Sequence, residues 1–86
     1  PRPSCIRLLG HPFGESGMVR VDALWERATW SVHNIEGSIL ANGIVSGGRI
    51  EWNMGGWTTG SYVIRLQHEL RGTCATRFVK LQTGLD

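Results

Sequence analysis

The stretch "TTGSYVIRL", residues 58–66, reads as a turn that runs straight into an alternating strand. Thr58, Thr59 and Gly60 supply the turn, and from Tyr62 onward a large apolar side chain falls at every second place. Side chains of a strand point alternately to its two faces. Tyr62, Ile64 and Leu66 are therefore expected on one side, with Val63, Arg65 and Gln67 on the other. The same period recurs upstream, where Trp30 and Val32 alternate with Ser31 and His33, and where Ile50 and Trp52 alternate with Arg49 and Glu51. Each apolar set is a row of a core that a shift of one residue would turn into solvent. The expected core is thus Trp30, Val32, Ile50, Trp52, Ile64 and Leu66, with Trp57 plugging one open end from the loop "MGGWTTG".

Working outward from that strand, glycine punctuates the chain, with 12 glycines against 3 prolines. The pieces between them are too short for stable helices, which need longer uninterrupted runs. Strands are expected over residues 5–9, 18–21, 28–34, 38–43, 48–53, 61–69 and 74–81. "VDALWER", residues 21–27, is the one helix-like stretch, and its length makes it a strand end and loop. Short strands at this spacing predict an all-β, immunoglobulin-like antiparallel sandwich of about seven strands. The 86 residues fit one domain, 1–86, whose core is thin for its surface. Four tryptophans help such a core, since each ring buries about 150–250 Å².

Composition excludes several function classes. Nine basic residues against seven acidic ones give a net charge of +2, and the basic residues are scattered along the sequence as a solvated face. That pattern predicts no nucleic-acid partner, which calls for a clustered basic surface. No run approaches the ~20 apolar residues of a membrane helix, so no transmembrane segment is expected. The opening "PRPSC" carries no apolar leader, and the chain is read as a piece of a longer secreted or surface protein. Cys5 and Cys74 lack metal-ligand spacing and are either a disulfide or two buried thiols.

Motifs for chemistry are weak. His11, His33 and His68 stand apart from other ligand types, apart from Glu69 beside His68, whose side chain falls on the opposite face of a strand. "GES", residues 14–16, is no nucleophile elbow. Asp22 and Glu26 read as loop solubilisers. The pairs Gly47-Gly48 and Gly55-Gly56 read as hairpin turns, and since neither precedes a helix their amides are not expected to converge on an anion. No catalytic set, cofactor or metal is expected. Of the tryptophans, Trp25 lies in a polar context and is the one expected to be exposed, as in a sugar-stacking platform of an accessory carbohydrate-binding sandwich.

The segment "IEWNMGGWTTGSYVIRL", followed by a polar loop and "ATRFVKL", resembles the C-terminal sorting domain of type IX secretion cargo in Bacteroidetes. Ile50, Trp52, Trp57, Gly60, Tyr62, Ile64, Leu66, Phe78, Val79 and Lys80 fall on that family's places. Upstream, "SVHNIEGSIL" is similar to its strand, Asn, turn, Gly, strand element at Val32, Asn34, Gly37 and Leu40. "HPFGESGMVRV" occupies the place of its entry motif. The likeness spans residues 9–81 and rests on the order and spacing of these motifs.

The resemblance implies a folded signal without enzymatic activity. It would be recognised by the type IX translocon after the parent protein reaches the periplasm. A sortase-like peptidase then removes it and joins the cargo to anionic lipopolysaccharide at the cell surface, or the protein is released outside. Some members keep the domain, among them components of the attachment complex. In that setting Gly60 serves a turn with relaxed backbone geometry and Tyr62 anchors the turn to the core. Lys80, with Arg77 beside it, is the expected exposed contact for the translocon or sortase.

Overall fold

The computed structural model describes residues 5–82. Seven strands form: β1 (Ile6–Leu8), β2 (Ser16–Val21), β3 (Thr29–His33), β4 (Ile39–Ile44), β5 (Arg49–Asn53), β6 (Gly60–His68) and β7 (Gly72–Lys80). They build a three-stranded sheet in the order β1-β2-β5 and a four-stranded sheet in the order β4-β3-β6-β7, antiparallel throughout. The protein is an all-β, immunoglobulin-like sandwich. Labelled in the immunoglobulin manner, β1, β2 and β5 take the places of A, B and E, and β3, β6 and β7 those of C, F and G. β4 lies against β3 and not against β5, which makes the second sheet the wider one. No helix among the described residues is long and apolar enough to cross a membrane.

Alternation sets the core. Val32, Ile64 and Leu66 of the wide sheet are fully buried, as is Val19 of the narrow one, and Ile50, Trp52 and Phe78 are nearly so. Trp30 and Trp57 are half-buried and pack against that cluster. Aromatic rings fill the centre: Phe78 stands 5.4 Å from Trp52 and 5.7 Å from Tyr62, centroid to centroid. Phe13, from the entry segment before β2, joins them at 5.3 Å from Phe78. Its backbone explains how a loop residue reaches the core. Phe13 donates to the carbonyl of Val79 and accepts from the amide of Leu81, so it adds a parallel bridge to the free edge of β7. His11 Nε2 accepts the neighbouring amide of Val79 at 2.9 Å.

Of the two glycine pairs expected to be hairpin turns, one is. Gly47 and Gly48 both have positive φ, 70° and 69°, as a tight primed turn requires. The turn reverses the chain between β4 and β5, which belong to different sheets. Gly55-Gly56 likewise lies between β5 and β6 and carries the chain from the narrow sheet to the wide one. Gly55-Gly56 therefore turns a corner of the sandwich, whereas Gly47-Gly48 closes a one-rung hairpin, Ser46 bridging Arg49 antiparallel, as the chain passes from one sheet to the other. β1 and β2 pair antiparallel through a longer connection, and the tightly turned hairpins within one sheet are β3–β4 and β6–β7. In the first, Asn34 Oδ1 accepts the amides of Glu36 and Ser38 at 3.0 and 2.9 Å, fixing the turn at 34–37. In the second, nine residue pairs run from Gly60↔Lys80 to His68↔Gly72. The helix-like stretch supplies one 3-10 turn, Ala23–Trp25, whose cap Asp22 accepts the amide of Leu24 at 2.9 Å.

Cys5 and Cys74 form a disulfide, with Cα atoms 6.6 Å apart and a sequence separation of 69. It ties the entrance of β1 to β7 and so stitches one sheet to the other.

Candidate functional site

The β6–β7 hairpin carries the four residues singled out as a recognition site, and the structure separates them. At the start of β6, Gly60 has φ 147°, a conformation that favours glycine. Two residues on, Tyr62 is buried, and its hydroxyl donates to the backbone carbonyl of Thr58. This is the tyrosine corner of immunoglobulin sandwiches, in which a ring near the start of strand F pins the preceding corner through its hydroxyl. Trp57 packs at 5.3 Å on the same ring, so the corner loop is held by an aromatic pair.

Lys80 corrects an expectation. It was expected as the exposed contact, but only 4% of its surface is accessible. The reason is strand parity: Phe78 points to the core, and Lys80, two residues later, follows it inward. Its stem lies at the corner loop, and Nζ donates to the carbonyl of Leu81 at 3.2 Å. Arg77 has the opposite parity and is exposed on the outer face of the wide sheet.

That outer face contains the candidate site, a groove of ≈ 640 Å³. Val63, Arg65 and Arg77 form its floor, with His33 and Ile35 from the β3–β4 hairpin along one side. Register brings these groups together from three strands. Ser31 stands opposite Arg65, His33 opposite Val63, and Val63 opposite Arg77. Arg65 and Arg77 are thus diagonal neighbours, and among the described residues neither is paired with a carboxylate. Ile35, at the hairpin, is 83% exposed and gives the groove an apolar rim beside the two guanidinium groups.

The polar contacts in the groove are local. Ser31 Oγ and His33 Nε2 are 2.8 Å apart, and His33 Nδ1 is 3.3 Å from the carbonyl of Gly37. Sequence reasoning put Ser31 and His33 on one face but did not join them, although their spacing of two residues on a strand was the available signal. The ring is turned by a carbonyl, with no carboxylate behind it, and the pair lies on an open sheet face. This arrangement orders the imidazole within the groove. Among the described residues no group of three or more His, Cys, Asp and Glu side chains is placed to hold a metal ion.

Trp25, expected to be exposed, is half-buried against the core with its ring 6.0 Å from that of His68. The glycine pair 47–48 also departs from expectation. Its amides do converge on an anion, and the anion is internal: Glu26 Oε2 accepts from Gly47 at 2.9 Å and Oε1 from Gly48 at 3.2 Å. Two successive positive-φ residues aim their amides to one side, which needs no helix. Glu26 is therefore a clamp between the 3-10 turn and the β4–β5 turn.

Comparison with protein-family models, with curated proteins and with solved structures finds no match for this chain.

Proposed function

We propose that this domain is a recognition element, the sorting domain of a protein carried across the outer membrane by type IX secretion. The observation that carries the reading is the outer face of the β6–β7 hairpin, where Arg65 and Arg77 are diagonal neighbours without a carboxylate partner among the described residues, in a groove that exposed Ile35 also lines. A cationic pair with an apolar rim, set on rigid strands, suits the capture of a protein surface, where arginine anchors and apolar contacts dominate binding. The tyrosine corner at Tyr62 holds the hairpin at a fixed angle, so the face is presented without an ordering cost. The Cys5–Cys74 bridge supports an oxidising compartment such as the periplasm. The translocon and the sortase-like peptidase are the partners of this face, and the domain performs no chemistry of its own.

The test is a fusion of residues 1–86 to a reporter in a type IX-competent cell. Surface display is expected for the unaltered fusion and for Lys80→Met. Arg65→Glu with Arg77→Glu is expected to leave the reporter folded in the periplasm. Periplasmic retention of the unaltered fusion overturns the proposal, as does full display of the double variant. The intact mass of the displayed protein distinguishes a cleaved domain from a retained one.

A further inference from the structure

The arginines that are scattered in sequence are aligned by register on the other sheet. Arg7 of β1 stands directly opposite Arg20 of β2, and Arg20 directly opposite Arg49 of β5. Their strand neighbours Ile6, Val19, Val21 and Ile50 are buried, so all three arginines point to the outer face of the narrow sheet. Adjacent strands lie about 4.8 Å apart, so three guanidinium groups share one short row across the sheet. Like charges directly opposite each other are destabilising, and the fold accepts that arrangement twice in succession.

The neutralising groups on this face are few. Glu51, opposite Met18, takes Arg49 Nη2 at 3.1 Å, an exposed pair along one strand. The same Nη2 lies 3.2 Å from Met18 Sδ. Asp22, at the end of β2, spends a carboxylate oxygen on the amide of Leu24. Among the described residues, Arg7 and Arg20 have no carboxylate partner.

We propose that this row binds a soluble ligand carrying clustered phosphate groups. It lies on the sheet opposite the face proposed for translocon recognition and is independent of that reading. Guanidinium presents a planar fork of donors that takes phosphate oxygens two at a time, and neighbouring forks bridge adjacent phosphates. The ligand supplies the negative charge that the face lacks, and its binding removes the repulsion between the arginines. A membrane surface is disfavoured because the exposed large apolar residues, among them Leu24, Ile35, Ile39, Ile44 and Leu70, lie outside these three strands. Single-stranded nucleic acid is disfavoured because these strands carry no aromatic residue on their outer face, Trp52 being turned into the core.

The experiment is calorimetric titration of the oxidised chain with myo-inositol hexakisphosphate at low salt, with inorganic phosphate as the single-anion control. The hexakisphosphate is expected to bind at one site and inorganic phosphate far more weakly. Arg20→Ser is expected to lower affinity at least about tenfold, and Arg20→Lys to fall between, since it keeps the charge and loses the fork. Arg65→Ser, on the opposite sheet, is expected to leave affinity unchanged. Without ligand, Arg20→Ser is expected to melt at or above the unaltered chain, because it relieves the row. Absence of hexakisphosphate binding overturns the proposal, and so does an equal loss in Arg65→Ser, which would mean binding by net charge. Tighter binding to vesicles of phosphatidylserine and phosphatidylcholine than to the hexakisphosphate also overturns it, as does a lower melting temperature for Arg20→Ser.

Discussion

The indole of Trp52 lies across Gly17, its register partner on the neighbouring strand, so closely that a Cβ added at Gly17 would stand 2.3 Å from the ring. Glycine is thus required there by space. Trp30 repeats the relationship with Gly43, where an added Cβ would stand 2.8 Å from Nε1. The two indoles meet across the sandwich with centroids 6.1 Å apart. Gly17→Ala must push a buried ring into a packed core, which costs about 1–3 kcal/mol. Gly43→Ala presses on a half-buried ring that has room to turn outward, and its cost is expected to be smaller. Thermal melts followed by near-ultraviolet circular dichroism check both. A cost for Gly43→Ala equal to or above that for Gly17→Ala contradicts the packing argument.

Tyr62 and Thr58 make the corner hydrogen bond between a buried hydroxyl and a backbone carbonyl. Tyr62→Phe keeps the ring contacts with Phe78 and Trp57 and removes that bond together with the hydroxyl's 3.2 Å contact with Thr58 Oγ1. A carbonyl left without its donor at a partly buried site costs about 1–2 kcal/mol. In a domain of this size that corresponds to a fall in melting temperature of roughly 5–15 °C. Hydrogen exchange is expected to rise first in the loop 55–60, and unchanged exchange there would show that the corner is held by the aromatic pair alone.

How much of this was legible follows from the range of the physics. The parity of Tyr62, Ile64 and Leu66, and of Ile50 and Trp52, is a local period of two, and both the strands and their buried faces follow from it. That period puts the Tyr62 ring inside, while its anchoring of the turn is an expectation of the resemblance; the hydroxyl bond to Thr58 is what the structure adds. Register is not local. That Arg7, Arg20 and Arg49 line up depends on pairings between residues far apart in the chain, which no spacing encodes. Placing β4 beside β3 depends on the turn at 34–37, and the same choice makes Gly47-Gly48 the passage between sheets. The exposed place of Lys80 is an expectation of the resemblance alone, and its parity with Phe78 turns it inward. Phe13 gave no signal, since it reaches the core from an isolated bridge and not from an alternating run.

The disulfide joins Cys5 to Cys74 across 69 positions and links the two sheets. In the chain-entropy picture, closing a loop of that length stabilises the fold by about 4 kcal/mol. That is a large share of what a domain this small commands. Cys5→Ser with Cys74→Ser is therefore expected to lower the denaturant midpoint sharply while leaving the far-ultraviolet spectrum of the folded state unchanged. Non-reducing peptide mapping should recover the two cysteines in one linked fragment. Titratable thiol in the native protein at one or more per chain is the contrary result.

Lys80 offers a test of whether its buried ammonium has a role. Its stem is enclosed at the corner loop, and Nζ has one hydrogen bond, to the carbonyl of the next residue. A cation removed from water is costly unless it is paired, and no carboxylate pairs with it among the described residues. Lys80→Met keeps the length of the stem and discards the charge. Its melting temperature is expected to match or exceed that of the unaltered chain, whereas Lys80→Ala, which empties the space around the stem, is expected to lower it by roughly 5 °C or more. If Lys80→Met falls as far as Lys80→Ala, the ammonium itself stabilises the corner. The inward turn of this residue is then electrostatic in origin, not a consequence of strand parity.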